Sequence, residues 1–351
     1  MRMRWLTSVL VMTGLTSAGW AQDLLNPSNA YTVLSTIQMG GAGGWAHVYA
    51  DAEGRRLYVP RTGTGAAARI VVYDLDTLKP AGAIARVNAH AVVVDPASGH
   101  GFSASRPISM WDAKTLKVIK TIPLQTEPEY VVFDPFKSRV YALSATAANA
   151  TVIDAATGAV AATIALGGKP RQGVSDGEGH VYVALDDTDE IVVIDAAALT
   201  VSARYDLDGV GAGPRGLAFD PKNHVLFVAC ANATMVYLSA KDGKFLYALP
   251  IGVGANAVAF NPTTMEIFSA QDQGTVTISK VAGPTNFTMS GDVETLPGAD
   301  SIALDTKTGK LYLVTAQYAP LNPDGGATTP AQLLRKGRMV PNSFAILQLG
   351  K

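Results

Sequence analysis

The stretch Gly213-Pro214-Arg215-Gly216-Leu217-Ala218-Phe219-Asp220-Pro221-Lys222-Asn223-His224-Val225-Leu226-Phe227-Val228-Ala229 reads as two short strands around a tight turn. Leu217, Ala218 and Phe219 form the first strand and residues 224–229 the second. Between them, Pro221 presets φ, and Asp220 and Asn223 can bond their own backbone. A loop at residues 231–233 leads to a third strand at 235–239. A hairpin turn at Lys241-Asp242-Gly243 leads to a fourth at 244–249, and Gly252 and Gly254 lead onward.

The same phrase recurs along the chain. Its Asp or Asn anchors are Asp51, Asp95, Asp134, Asp176, Asp220, Asn261 and Asp305, spaced 44, 39, 42, 44, 41 and 44 residues apart. The second strand returns as Leu57-Tyr58-Val59, Val140-Tyr141-Ala142, Val181-Tyr182-Val183 and Leu311-Tyr312-Leu313. The third returns as Val71-Val72-Tyr73-Asp74, Met110-Trp111-Asp112, Val152-Ile153-Asp154 and Val193-Ile194-Asp195. β-Branched and aromatic residues between Asp, Gly and Pro suit half-buried strands. Seven units of four strands, with a period near 42, predict an all-β, seven-bladed β-propeller of four-stranded antiparallel blades. Helix signals are nearly absent. The best candidate, residues 331–338, is confined by Pro330 and Gly337.

The matching pieces Leu57-Tyr58-Val59, Val181-Tyr182-Val183, Leu226-Phe227-Val228 with Asn232, and the run Pro214 through Pro221 resemble the YVTN-repeat (YncE-like) family of β-propellers, over about residues 31–350. The resemblance implies the fold. For function it implies several roles, because propellers of this look include binding modules, surface proteins and the heads of some enzymes.

Residues 31–39 form a strand ahead of the first full unit, and the seventh unit stops at its third strand, residues 344–349. The N-terminal strand is therefore expected to supply the outer strand of blade 7, closing the ring without a free edge at the seam.

Met1-Arg2-Met3-Arg4, an apolar run from residue 5 to about 18, and Gly19-Trp20-Ala21 read as a signal peptide cut after Ala21. The expected organisation is a leader at 1–21 and one propeller domain at 22–351, exported to the periplasm or secreted. No later segment is apolar for long enough to span a bilayer. The single Cys230 permits no internal disulfide and reads as a small, half-buried apolar residue. A net charge of −1 with 16% charged residues argues against electrostatic binding of duplex nucleic acid or anionic lipid. Single-stranded nucleic acid lacks the aromatic-basic stripe it would need.

In a propeller, the residues leading into each inner strand share one face with the loops between second and third strands. Five residues before the anchors stand Ala46, His90, Glu129, Arg171, Arg215, Asn256 and Asp300, with His47 one position out of register. Asp300, His90 and Glu129 are candidates for acid, base or metal ligation. Arg171, Arg215 and Asn256 could hold a carboxylate, phosphate or sugar hydroxyls. The loops add Arg61, Arg106, Asn149, Asp186, Asn232, Gln271 and Gln317. Salt bridges around a water-filled channel are the plain structural alternative. His100, His180 and His224 fall at turns on the opposite face. The blade 7 loop at 318–342 runs about 20 residues over the repeat, carries Arg335, Lys336 and Arg338, and is expected on the candidate face.

No His-x-x-x-His or Walker motif occurs, and Gly40-Gly41-Ala42-Gly43-Gly44 reads as a crossing into blade 1. Two functions follow. The leading one is a binding module or scaffold whose polar channel takes a small anionic or glycan-like ligand, or a partner protein. The alternative is a lactonase or lyase using His90, Glu129 and Asp300, with a divalent metal ion as the one cofactor the ring would suit.

Overall fold

The anchor carboxylates explain why the chain breaks into short strands. Asp95 accepts hydrogen bonds from the Ala97 backbone at 2.9 Å and the Ser98 hydroxyl at 2.7 Å, closing its own turn. It also accepts from Ser138, in the next blade, at 2.9 Å. Asp134 takes the Ser175 hydroxyl of the following blade at 2.7 Å. At the seam, Asp305 takes Arg55 of blade 1 at 2.8 Å. One residue type thus turns the strand and ties neighbouring blades, which is why it repeats.

The computed structural model describes residues 30–41, 43–207, 209–319 and 337–351. Their strands form seven four-stranded antiparallel sheets. In chain order the inner strands are Tyr49–Asp51, Val92–Asp95, Tyr130–Asp134, Pro170–Ser175, Pro214–Asp220, Ala255–Asn261 and Ile302–Leu304. Apart from strands, the described residues hold one short 3-10 turn, Gly65–Ala67, and no helix long and apolar enough to cross a membrane. This is the seven-bladed all-β propeller expected from the anchors.

Closure follows the expected route. The strand Thr32–Gln38 pairs antiparallel with Ala345–Gly350, the third strand of blade 7, with Ile37 opposite Ile346. Tyr31, just ahead of it, packs edge-on against Phe268 of blade 6 and donates to the Gly309 carbonyl at 3.1 Å.

Between blades, the large residue at the centre of each second strand fills the gap to its neighbour. Tyr58, Phe102, Tyr141, Phe227, Phe268 and Tyr312 are fully buried. The Tyr182 hydroxyl donates to Ala240 of the next blade at 3.1 Å, and the Tyr312 hydroxyl to Leu75 across the seam at 3.0 Å. Cys230 is fully buried rather than half-buried, and burial, helped by Asp189, pushes its thiol up to about 12. Protonated and enclosed, it is inert at neutral pH.

The middle of the blade 7 loop, residues 320–336, lies outside the described residues, as do the leader and most of the expected helix at 331–338; Gly337 and Arg338 are not helical. The ends of the loop approach each other. Tyr318 bridges Met339, and Ala319 donates to the Arg338 carbonyl at 2.9 Å.

Candidate functional site

Local backbone geometry aims the lead residues into the channel. In blades 5 and 6 the pairing of first and second strands slips by one residue. Pro214 faces Cys230 while Gly216 faces Ala229, so Arg215 is the extra residue; Asn256 is skipped in the same way between Ala255 and Ala257. In blade 4 the slip falls between Pro170 and Gly173, across Arg171 and Gln172. Such a bulge re-aims side chains that a regular strand would send alternately to either face. In blades 1, 2, 3 and 7 the inner strand starts only after the lead position, which leaves Ala46, His90, Glu129 and Asp300 on the rim.

Six of the seven lead residues line one cavity of about 240 Å³: Ala46, His90, Glu129, Arg171, Asn256 and Asp300, joined by His47, Trp45, Tyr130 and Ser301. Arg215 is the exception. Its Nε sits 3.6 Å from Asp186, which also accepts from Arg171 Nε at 3.1 Å and Nη2 at 2.8 Å. The expected arginine arc therefore converges on a loop carboxylate, and the forked edge of Arg171 is occupied by it. His90 Nε2 lies 3.5 Å from Glu127, a residue the repeat does not single out. Asn256 Nδ2 donates to Asp300 at 3.4 Å. Oε2 of Glu129 is buried and makes no hydrogen bond.

His47 occupies the throat. Its Nδ1 shares a hydrogen bond with the Tyr130 hydroxyl at 2.7 Å, and the two rings lie 4.2 Å apart. Burial, reinforced by repulsion from His90 and Arg171, pushes the imidazole down to about 3. Burial, with the Asp300 charge, holds the Tyr130 phenol far above its usual range. Both groups are neutral at physiological pH. Below them a second cavity of about 340 Å³ continues down the channel, sharing His47, Tyr130 and Ser301 with the first. Gln172 bridges its wall, accepting from Leu217 at 3.1 Å and Val258 at 3.4 Å.

Asp186 apart, the loop candidates lie outside this cavity. Arg61 is fully buried, stacked 3.7 Å from the Phe344 ring centre, and donates to the carbonyls of Gly40, Gly43 and Gly44. It holds the glycine crossing in place. Burial brings it down to about 10, so it remains charged at neutral pH. Arg106 is exposed beyond the rim and donates to the Leu124 carbonyl at 3.3 Å. Asn149 starts a strand, and Asn232 Nδ2 donates to Val210 at 2.9 Å. Gln271 is fully buried and caps its own loop through Thr275 and Thr277. Gln317 pairs through its backbone with Ser343. His100, His180 and His224 sit at first-to-second-strand turns, at the opposite ends of the strands. His100 contacts the Ala155 carbonyl and His180 contacts Asp176. Among the described residues no group of three or more His, Cys, Asp or Glu is arranged to hold a metal ion.

Trp45, Tyr130, Ser301 and Glu127 were not singled out by the repeat. The first three adjoin lead or out-of-register positions, and that adjacency is the one signal that points to them.

No family model matches the chain, and no curated protein sequence matches it. Among solved structures, a chain of the mitotic checkpoint complex superposes with a TM-score of 0.69 at 11% identity, over 89% of this chain and 96% of that one. A chain of the Kuenenia stuttgartiensis hydrazine synthase gives 0.66 at 18% identity, over 79% of this chain and 95% of that one. At such identities the likeness is one of fold.

Proposed function

We propose that this protein is an exported binding module of the YVTN-repeat type that takes a small polar molecule into the mouth of its central channel. The observation that carries this reading is the convergence of six non-repeating lead residues and His47 on one cavity. A residue needed only for the fold would repeat from blade to blade, as the anchors do. The six lining positions instead carry six different residue types while sharing one location. The buried, unpartnered Glu129 oxygen adds support, since leaving such an acceptor unmet carries a desolvation cost that a bound donor relieves. Removal of residues 1–21 on export to the periplasm or beyond belongs to the same proposal.

The test is a thermal-shift screen of the purified chain against a metabolite library. Compounds that raise the melting temperature of the wild type and not of Asp300→Asn support the reading. No stabilising compound, or equal stabilisation of both proteins, counts against it.

A further inference from the structure

We infer that the channel-mouth ligand is a small organic cation that donates N–H hydrogen bonds, an amine held between Glu129 and the aromatic rings of Trp45 and Tyr130. This rests on the reading of the cavity as a binding site and names the chemistry of its occupant.

Charge is the first argument. Arg171 and Arg215 share Asp186, so together the three groups contribute a single surplus positive charge, and the Nε/Nη2 edge of Arg171 is engaged by that carboxylate. Against that surplus stand Glu129 in the lining and Glu127 beside His90. Among these described groups the formal balance is negative. His47 adds no positive charge, being neutral through the physiological range. An anion entering here meets net repulsion in a partly enclosed, poorly screened space, and a cation meets attraction.

Hydrogen bonding is the second. Among the residues lining the cavity the unmet group is an acceptor, Glu129 Oε2, and a carboxylate is best satisfied by a charged N–H donor; the unmet Arg215 Nε lies outside the lining. The third is the aromatic component. Trp45 and Tyr130 line the same cavity, and ring faces attract ammonium groups. A bare metal ion is a poor match, because the carboxylates are not grouped closely enough to coordinate one among the described residues. An ammonium on a short carbon skeleton fits within about 240 Å³.

Isothermal titration calorimetry with three four-carbon probes of equal length isolates the charge: the diamine putrescine, the diol butanediol and the diacid succinate. Putrescine is expected to bind at least about tenfold more tightly than either of the others. Glu129→Gln should weaken putrescine by about tenfold or more without lowering the melting temperature. Asp300→Asn serves as the second variant should Glu129→Gln fold poorly, and it too should weaken putrescine. Succinate or butanediol binding as tightly as putrescine overturns the inference, and so does unchanged putrescine affinity in a folded variant. If succinate binds and Arg171→Gln abolishes it, the cation falls while the channel site stands. If all three probes are silent, the cation falls; the binding reading falls with it only when the metabolite screen is also silent.

Discussion

The Tyr130 hydroxyl lies 2.7 Å from Nδ1 of His47, although 83 residues separate the two and a whole blade stands between theirs. The contact crosses the throat of the channel. It joins two neutral side chains directly beneath a rim of charged ones, so the polar mouth and the deeper cavity meet at this pair.

The pair has a measurable signature in acid. The folded imidazole titrates near 3, and an unfolded one near 6.5. Between those values the unfolded state binds the extra proton, so stability rises with pH there and is lost as pH falls. The loss at pH 4 should be roughly 3 kcal/mol from this residue. Urea unfolding of the wild type and His47→Gln at pH 7 and pH 4 checks it. The variant should lose less stability than the wild type between the two pH values; parallel losses would remove His47 from the account.

The seam offers a second test. Arg55 bonds Asp305 at 2.8 Å, and the Asp305 side chain is fully buried. Burial alone would raise this carboxyl. The Arg55 and Thr308 hydrogen bonds outweigh it and hold the group below the usual aspartate range. Arg55→Leu should cost about 3 kcal/mol at pH 7, because it leaves a buried carboxylate short of its partner. A carboxyl with a depressed folded pKa contributes fully above its unfolded value, about 3.9, and loses that contribution as pH falls through the folded value. The gap between wild type and variant in denaturant melts should therefore be full at pH 7 and close only below about pH 4. An equal gap at pH 7 and pH 2 would contradict the assignment.

Closure by the N-terminal strand predicts an all-or-none effect. Removing residues 22–39 strips Thr32–Gln38 from Ala345–Gly350 and leaves blade 7 with three strands and an open edge. Tyr31 and its contacts with Phe268 and Gly309 go as well. The truncated chain should fail to accumulate as soluble protein. A soluble truncation with one cooperative melting transition would show that the ring closes without its latch.

The fold was legible because the anchors do local chemistry. Asp95 or Asp305 can close a turn only at one place relative to its strand, so their spacing carries the blade period. The lead positions were legible for the same reason, being counted back from those turns. What the spacing did not carry was pairing. That Arg171 and Arg215 meet on Asp186 depends on a bulge and a loop, neither of which leaves a periodic trace. Arg61 occupies a loop position like the others, yet it lies buried against Phe344. The side-chain-free glycines beside it present carbonyls that need donors, and Arg61 supplies them. Tyr130 reads as an ordinary strand aromatic in Tyr130-Val131-Val132-Phe133, and only the curvature of the ring carries its hydroxyl across to His47.

The five histidines allow the central claim to be tested within one molecule. His47 and His90 line the channel mouth, whereas His100, His180 and His224 sit at turns on the opposite face. Imidazole resonances recorded by NMR while the best ligand from the screen is titrated in report both sets at once. The account predicts shifts at His47 and His90 that saturate together, with the other three unmoved. Saturable shifts confined to His100, His180 or His224 would contradict it, and place the ligand on the other side of the propeller.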